Sequence, residues 1–390
     1  MRRTTRARLT ALAVTPVLAL GAGSAVHGQN SQTSEPPETT EPAEGTELAG
    51  GAGTCIPEGG IEAKDNYLIG MSQANKGEPW RQAMNDQIAA AAEEHPELEV
   101  VFADAAQDNA QQVADVENFL AQGIDLLIIS PNEAAPLTDV VADACAQGVP
   151  VIVLDRKVDG DQFTMFIGAD NVEIGRQAGV HAAEYCATGG FDQCNVIEIR
   201  GLEGSTPAQE RGDGFREGLA ENPAATIIAS QNADWLREKA IPVSQAMFQA
   251  NPDVNVVYTH NDPMTEAAII SAESAGLNLD DMLFIGIDAL PTPDGGIQSV
   301  IDGRIDATYV YPTGGVQAID FAVQILEDGV VPPDSVTLET QEVTADNAQE
   351  VMDSFTGGSP ATETTGAEAT ETTGGDAMGT TPDVSETTEG

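Results

Sequence analysis

The sequence of residues 66–343 predicts an α/β protein with two lobes, each built on a doubly wound parallel β-sheet. Short runs of Val, Ile and Leu, such as residues 126–129 and 151–154, alternate regularly with amphipathic segments of helical length. Continuous apolar runs of this kind are typical of parallel strands that are buried on both faces. The alternation occurs in two successive sets, before and after about residue 170, and this predicts two lobes.

The predicted elements follow one another in a simple order. The first half alternates strands with helices at 66–72, 80–95, 98–104, 109–123, 124–131, 137–148 and 150–156. The second half does the same at 195–201, 207–222, 225–231, 237–251, 254–262, 264–276 and 282–288. The segment 109–123 carries Val113, Val116, Phe119 and Leu120 on one face, as an amphipathic helix does.

Both ends of the chain lack the composition of a folded domain. Residues 29–60 and those after 357 are rich in Thr, Glu, Gly and Pro, and they hold too little apolar surface to offset chain entropy. The first 28 residues contain four arginines, then an apolar stretch too short to cross a membrane, then small residues. This is the build of a secretory signal peptide. We assign residues 1–25 to a signal peptide, 26–62 to a disordered linker and 358–390 to a disordered acidic tail.

The net charge restricts the possible partners and the compartment. The chain carries a formal net charge of −47, which repels nucleic acid and anionic membranes. After cleavage of the signal the mature chain is expected outside the cytoplasm, in the periplasm, at the cell surface or secreted. Of the 16 Lys and Arg residues four lie in the signal, so each of the remaining 12 is informative when it falls near a predicted cleft.

The four cysteines permit disulfides in an exported protein. Cys186 and Cys194 flank a short loop between a predicted helix and a strand, so we expect a local bridge between them. The pairing of Cys55 with Cys145 is left open. The spacing contains no CxxC pair and the acidic residues near 155–162 do not fit a calcium loop, so neither a metal nor another cofactor is expected.

Polar, charged and aromatic residues follow most of the predicted strands, where ligands of open parallel sheets bind. Taken singly, each could be core filler or a structural ion pair. Together they include both tryptophans of the chain, and their chemistry is that of carbohydrate binding, because indole faces pack on sugar C–H groups and charged groups bind hydroxyls strongly. The candidates are Ser72, Trp80, Arg81, Ser130, Asp155, Arg156, Arg211, Trp235, Asn261 and Asp288.

Several short motifs carry a family resemblance over about residues 66–343. They are LDR, ADN, ERGDGF, SQNADW, HND and DGRIDATYVYP, in that order. In order and spacing they resemble the periplasmic sugar-binding proteins of ABC importers, in the ribose-binding-like group. The segment SQANKGEPWR looks closest to the galactofuranose-binding branch, in which Trp-Arg replaces the pair of aromatic residues of ribose binders.

The resemblance implies a type I periplasmic-binding-protein fold with two lobes joined by three crossings. The crossings are expected near Asp170, Tyr311 and Gln341. The N-terminal lobe would then comprise residues 63–169 and 312–340, and the C-terminal lobe residues 170–311 and 341–357.

The resemblance also implies roles for the candidate residues. Trp80 and Trp235 would sandwich a sugar from the two lobes, while Asp155, Arg156 and Arg211 would bind its ring and anomeric oxygens. The other contacts would come from Ser72, Arg81 and Ser130 in the first lobe and from Asn261 and Asp288 in the second. The chain departs from the family at Ala289 and at Tyr311, which stands where a polar residue is often found and is included among the ligand-binding candidates.

The resulting prediction is a binding protein that captures a monosaccharide, such as galactofuranose or a similar aldose, and delivers it as a monomer to the permease of an ABC importer. A sensor that presents its ligand to a membrane receptor is the first alternative. A sugar-processing enzyme is disfavoured, because only His260 among the histidines lies at a strand end and because nearby arginines are expected to keep Asp155 and Asp288 ionised. No catalytic residue is assigned.

Overall fold

The computed structural model of the protein describes residues 55–57 and 59–356. The predicted signal peptide 1–25, most of the predicted linker and the predicted acidic tail 358–390 lie outside the described residues.

The described chain forms twelve strands. They are β1 Tyr67–Gln73, β2 Leu98–Asp104, β3 Leu126–Ser130, β4 Val151–Leu154, β5 Met165–Ala169, β6 Cys194–Arg200, β7 Ala225–Asn232, β8 Val256–Thr259, β9 Leu283–Ile285, β10 Ala307–Tyr309, β11 Ser335–Leu338 and β12 Glu342–Thr344. The α-helices are α1 Pro79–Glu93, α2 Asn109–Gln122, α3 Ala134–Ala146, α4 Asn171–Thr188, α5 Thr206–Leu219, α6 Arg237–Ala250, α7 Asp262–Ser274, α8 Gly296–Ile301, α9 Gly315–Leu326 and α10 Ala348–Thr356.

These strands make two six-stranded sheets, in the orders β11-β5-β4-β3-β1-β2 and β12-β10-β9-β8-β6-β7. Every named strand pair is parallel except β10 with β12, which is antiparallel. The chain passes from one sheet to the other three times, between β5 and β6, between β10 and β11, and between β11 and β12. The predicted fold class, two parallel-sheet lobes joined by three crossings, is confirmed.

Alternate residues of the strands are buried on opposite faces of each sheet, as a doubly wound sheet requires. In the first sheet, Ile128 packs in the cluster that contains α1 and α9, and its neighbour Ile129 packs in the cluster that contains α2 and α3. In the second sheet, Val256 faces α4 and α5, and Val257 faces α6 and α7. The apolar runs of the sequence are therefore continuous because both faces are covered.

Helices α4 and α5 approach so closely that only glycine fits at their contact. A Cβ at Gly214 would overlap the carbonyl oxygen of Val172, and one at Gly175 would overlap the carbonyl oxygen of Arg211. Gly179 and Gly218 make equivalent contacts one turn further along. The backbone of Arg211 is thus fixed against α4 by helix packing.

Two disulfides close loops of very different length. Cys186 and Cys194 are bonded, as the sequence predicts, with their Cα atoms 5.7 Å apart. Cys55 is bonded to Cys145 in α3, with a Cα–Cα distance of 4.4 Å. Because Cys55 is buried and Ile56 and Ile61 pack against the core, the prediction of a disordered linker over 26–62 is wrong for its last residues.

The glycine contact between α4 and α5 yields a stability test. Gly214→Ala forces the two helices apart, and we expect it to lower the free energy of unfolding by about 1–3 kcal/mol. The control is Gly59→Ala, where an added Cβ meets no atom within 4 Å. Urea unfolding measures both variants, and equal midpoints for the two would contradict the role given to Gly214.

Candidate functional site

Residues that follow strands of both sheets line one small cleft. Its lining contains nine of the eleven predicted site residues and two that were not predicted, Glu78 and Pro207. The remaining two candidates, Ser72 and Ser130, are fully buried near the ends of β1 and β3 and do not line the cleft. The predicted residues of the lining are Trp80, Arg81, Asp155, Arg156, Arg211, Trp235, Asn261, Asp288 and Tyr311.

Asp155 is the centre of the hydrogen-bond network in the cleft. One carboxylate oxygen accepts from Nη2 of Arg81 at 2.8 Å, and the other accepts from the Tyr311 hydroxyl at 2.7 Å. The Ser130 hydroxyl accepts from Nη1 of Arg81 at 2.7 Å. Arg81 is only 1% exposed, so Ser130 acts by orienting Arg81, and Arg81 acts by orienting Asp155.

Glu78, which sequence reasoning missed, lies between the arginines of the first lobe. Its carboxylate accepts from Nδ2 of Asn75 at 2.7 Å and lies 3.4 Å from Nε of Arg81 and 3.9 Å from Nη2 of Arg156. Burial, and then the charge of Arg81, lower the pKa of Arg156 to about 10. Glu78 offsets this repulsion. The available signal was its position one residue before the proline that opens α1.

Arg211 is held by neutral groups, unlike the other two arginines of the cleft. Its Nε donates to the side-chain oxygen of Asn171 at 2.8 Å, and its Nη1 donates to the backbone carbonyl of His260. The guanidinium lies 4.3 Å from the Tyr311 ring centre and 5.3 Å from that of Trp235. Since no carboxylate of the described residues forms an ion pair with Arg211, its charge remains available to a ligand.

The two tryptophans form walls of the cleft on different lobes. The Trp80 indole donates from Nε1 to the backbone carbonyl of Tyr311 at 2.7 Å, and the two rings lie 5.1 Å apart. The Trp235 indole packs so closely on Gly201 that a Cβ there would overlap the ring. Asn261 donates to the backbone carbonyl of Trp235 and caps α7. The side chain of this residue, which the sequence predicts to bind the ligand, therefore holds Trp235 in position.

Backbone strain is concentrated around the cleft. Among the described residues, seven other than glycine have a positive φ in the left-handed region, and five of these lie on or next to the cleft. Such conformations cost about 1–3 kcal/mol each and persist where the surroundings impose them, often at binding sites. The five are Asp155 (φ 69°), Asp234 (52°), Trp235 (71°), Asp288 (133°) and Ala289 (48°).

Asp288 and Asp262 form a buried acidic pair in the second lobe. Asp262 accepts from the Thr308 hydroxyl at 2.7 Å and from the backbone N–H of Ala289 at 2.8 Å. Asp288 is 6% exposed, and its carboxyl has no hydrogen-bond partner among the described residues. Burial raises the pKa of Asp262 to about 7, and burial together with the charge of Asp262 raises that of Asp288 well above its ordinary value. In its effect on the pKa of Asp288, burial outweighs the attraction of Arg211.

His260 does not line the cleft. Its Nδ1 accepts from the backbone N–H of Gly201 at 3.3 Å, which places the ring proton on Nε2, 3.2 Å from the carboxylate of Glu198. Burial lowers the pKa of His260, so the imidazole is neutral. The one histidine at a strand end is therefore a structural residue that supports the carbonyl bound by Arg211.

Residues 69–329 match the model of the family described as periplasmic binding protein domain. The chain belongs to this family. It is 30% identical to the ribose import binding protein of Bacillus subtilis, over 63% of this chain and 76% of that protein. It is 29% identical to the galactofuranose-binding protein of Escherichia coli, over 73% of this chain and 90% of that protein.

Solved structures of the family also superpose on this periplasmic binding protein. The fructose-binding periplasmic domain of a hybrid two-component system matches with a TM-score of 0.71 and 38% identity, over 75% of this chain and 95% of that one. These relatives are sugar-binding proteins and not enzymes, which confirms the predicted family and the prediction of a binding protein. Within residues 55–57 and 59–356, no helix has the length and apolar character needed to cross a membrane.

The buried acidic pair yields a prediction about pH. The folded protein retains a proton on Asp262 up to about pH 7, whereas the unfolded chain releases it near pH 4. The stability of the wild type is therefore expected to fall as the pH rises through this window. Asp262→Asn removes this titration. The free energy of unfolding of the variant minus that of the wild type should therefore increase by up to about 1.4 kcal/mol per pH unit between pH 5 and pH 7.

Urea unfolding at several pH values measures this difference. The exposed Asp213→Asn is the matched control, and we expect no growing advantage for it. If the difference in free energy of unfolding between Asp262→Asn and the wild type is constant with pH, burial does not shift the pKa of this carboxyl.

Proposed function

We propose that this periplasmic binding protein captures a neutral monosaccharide between its lobes and delivers it to the permease of an ABC importer. The observation that carries the proposal is the composition of the cleft, in which two indoles and three guanidinium groups from both lobes surround a small space. Membership of the family implies a location outside the cytoplasm. Export by residues 1–25, secretion and a monomeric state belong to the same proposal.

The chemistry of the lining fits the hydroxyls and ring faces of a sugar. The indoles of Trp80 and Trp235 offer apolar faces for the C–H groups of a ring. The N–H groups of Arg211 would donate to sugar oxygens, and the carboxyl of Asp288, which has no hydrogen-bond partner among the described residues, lines the same cleft. Each hydrogen bond to a charged group is worth about 1.5–3 kcal/mol.

The proposed sugar is galactofuranose or a similar aldose in its furanose form. The Trp80-Arg81 pair supports this choice, and so does the similarity to the galactofuranose-binding protein of Escherichia coli. Arg81 is already bonded to Gln73, Ser130 and Asp155. We infer that it selects the sugar indirectly, because it fixes where the Asp155 carboxylate meets the ligand.

Closure of the lobes would complete the site. The Gln107 side chain donates to the carbonyl of Asp234 at 3.0 Å, and Lys157 pairs with Glu210 at 2.9 Å, so both contacts join the lobes around the cleft. Other bonds also join the lobes, such as the one from the backbone N–H of Ala134 to the carbonyl of Gly204 at 3.0 Å. The Lys157–Glu210 pair is partly exposed, and exposed ion pairs contribute little. A sugar that touches both lobes would therefore shift the population toward the closed form.

A sensor is the second candidate function. It is favoured by the 38% identity to the fructose-binding domain of a hybrid two-component system. Sugar uptake by cells that lack this protein discriminates between the two. Loss of uptake supports the importer, and unchanged uptake with loss of a sugar-induced response supports the sensor.

Calorimetry with pentoses, hexoses and their furanosides tests the proposal directly. Trp80→Ala should weaken binding by at least tenfold, about 1.4 kcal/mol, because one wall of the cleft is lost. Phe355→Ala, which removes an exposed ring, is the control and should bind as the wild type does.

Two results would contradict the proposal. The first is the absence of binding to every neutral sugar of the panel. The second is wild-type affinity in Trp80→Ala, which would assign the indole to packing alone.

A further inference from the structure

Asn171 lies at the first passage of the chain from one sheet to the other. It is the first residue of α4, two residues after the end of β5. Its side chain is 2% exposed and does not line the cleft. The oxygen and the nitrogen of its amide nevertheless bond to Arg211 and Tyr311, which do line it. A residue outside the cleft thus contacts two residues of the lining.

Only one orientation of the Asn171 amide satisfies both neighbours. Nε of Arg211 can only donate, so the atom that lies 2.8 Å from it must be the amide oxygen. The amide nitrogen then lies 3.2 Å from the Tyr311 hydroxyl and donates to it. The opposite orientation would place two donors against each other at Arg211.

This orientation also fixes the direction of the bond between Tyr311 and Asp155. Because the hydroxyl oxygen accepts from Asn171, its hydrogen donates to Oδ1 of Asp155, which lies 2.7 Å away. A chain of hydrogen bonds results, in which every step runs from donor to acceptor in the same direction. Its members, in order, are Arg211, Asn171, Tyr311 and Asp155.

The chain of hydrogen bonds connects cleft residues of opposite lobes. Asp155 follows β4 of the first sheet, and Arg211 lies in α5 of the second lobe. Between them, Asn171 lies at the passage from β5 to β6, and Tyr311 lies at the passage from β10 to β11. The acceptor Asp155 and the donor Arg211 are therefore positioned relative to each other by side chains at two of the three connections between the sheets.

Helix α4 holds Arg211 at two points. The backbone is fixed because a Cβ at Gly175 would overlap the carbonyl oxygen of Arg211, and the side chain is fixed by Asn171. Nη1 of the guanidinium donates to the backbone carbonyl of His260. These bonds, at two of its three nitrogens, set the orientation in which the guanidinium faces the cleft.

We propose that Asn171 is a positioning residue of the sugar site, which acts through Arg211 and Tyr311 without touching the sugar. It orients Arg211 as a donor to a sugar oxygen. Through the Tyr311 hydroxyl it orients Asp155 as an acceptor for a sugar hydroxyl. This inference rests on the proposed function and adds to it a residue that determines affinity from outside the cleft.

Calorimetry tests the role of Asn171, with D-galactose as the probe or with the sugar of the panel that binds most tightly. Asn171→Leu keeps a branched side chain and removes both bonds. Asn171→Asp keeps the size and the acceptor for Arg211, but its ionised carboxylate has no proton for Tyr311. Each variant should weaken binding by at least tenfold. Because one variant adds a charge and the other adds apolar volume, a loss common to both is due to the missing bonds.

Asn222 provides a matched control at the other end of the α4–α5 pair. It lies three residues after α5, is partly buried, and donates to the carbonyl of Ala183 in α4 at 3.0 Å. Asn222→Leu should lower the urea midpoint and leave the sugar affinity within about twofold of the wild type. Urea unfolding of every variant shows which of them are folded.

A second set of variants distinguishes positioning from a merely structural role. Tyr311→Phe removes the hydroxyl through which Asn171 acts on Asp155. The loss of affinity caused by each Asn171 variant should therefore be at least threefold smaller in the Tyr311→Phe background than in the wild type. A loss that came from packing alone would be the same in both backgrounds.

The outcomes separate this inference from the proposed function. If the wild type binds no sugar of the panel, the proposed function is overturned and this inference with it. If the wild type binds but the folded Asn171 variants keep its affinity, the positioning role is overturned and the proposed function stands. The same holds if their losses are equal in both backgrounds, or if Asn222→Leu causes an equal loss.

Discussion

The bond between Arg81 and Asp155 is the interaction on which the cleft depends. Asp155 follows β4 with a left-handed backbone, and Arg81 reaches it from α1 at 2.8 Å. The same carboxylate accepts from Tyr311, which lies just before one of the passages between the sheets. The buried side chain of Asp155 thus links the end of β4, the first turn of α1 and a connection between the lobes. Without it, Arg81 would be a buried charge that keeps only the more distant carboxylate of Glu78, 3.4 Å from its Nε, and loss of one partner of a buried ion pair is costly.

The charges of the cleft nearly cancel, and this explains its acidic pair. Three guanidinium groups face the carboxyls of Glu78, Asp155 and Asp288, with Asp262 directly behind. Four carboxyl groups therefore lie with three positive charges in a buried cluster. Burial raises the pKa of Asp262 to about 7 and raises that of Asp288 well above its ordinary value, so this pair favours retention of a proton. A neutral ligand fits such a site without a further charge to balance.

The alternation of apolar runs and helices was sufficient to predict the two lobes, since strands covered on both faces need continuous apolar residues. It was insufficient for β5, β10, β11 and β12, which have three to five residues and no clear periodicity. Residues after strands were sufficient to predict most of the cleft lining, because parallel strands bring their carboxyl ends together. Glu78 was not predicted as part of the lining because it precedes a helix and does not directly follow a strand.

Other features depend on contacts between distant segments and could not be read from the sequence. The raised pKa of Asp288 follows from its burial and from the charge of Asp262. The supporting role of Asn261 follows from its bond to Trp235, which is 26 residues earlier in the chain. The linker prediction failed at Cys55 because its disulfide partner lies 90 residues away, in α3. In each case the residue type was informative, but the environment that decides its role was assembled by the fold.

Trp235, whose indole forms one wall of the cleft, has a strained backbone that is held by contacts from both lobes. Its left-handed backbone is unfavourable for a bulky residue, so the surrounding contacts must hold it there. Gly201 leaves room for the indole, Asn261 binds its carbonyl, and Gln107 of the other lobe binds the carbonyl of the preceding residue. That last contact joins the two lobes. The contact between the lobes therefore helps to stabilise the strained wall.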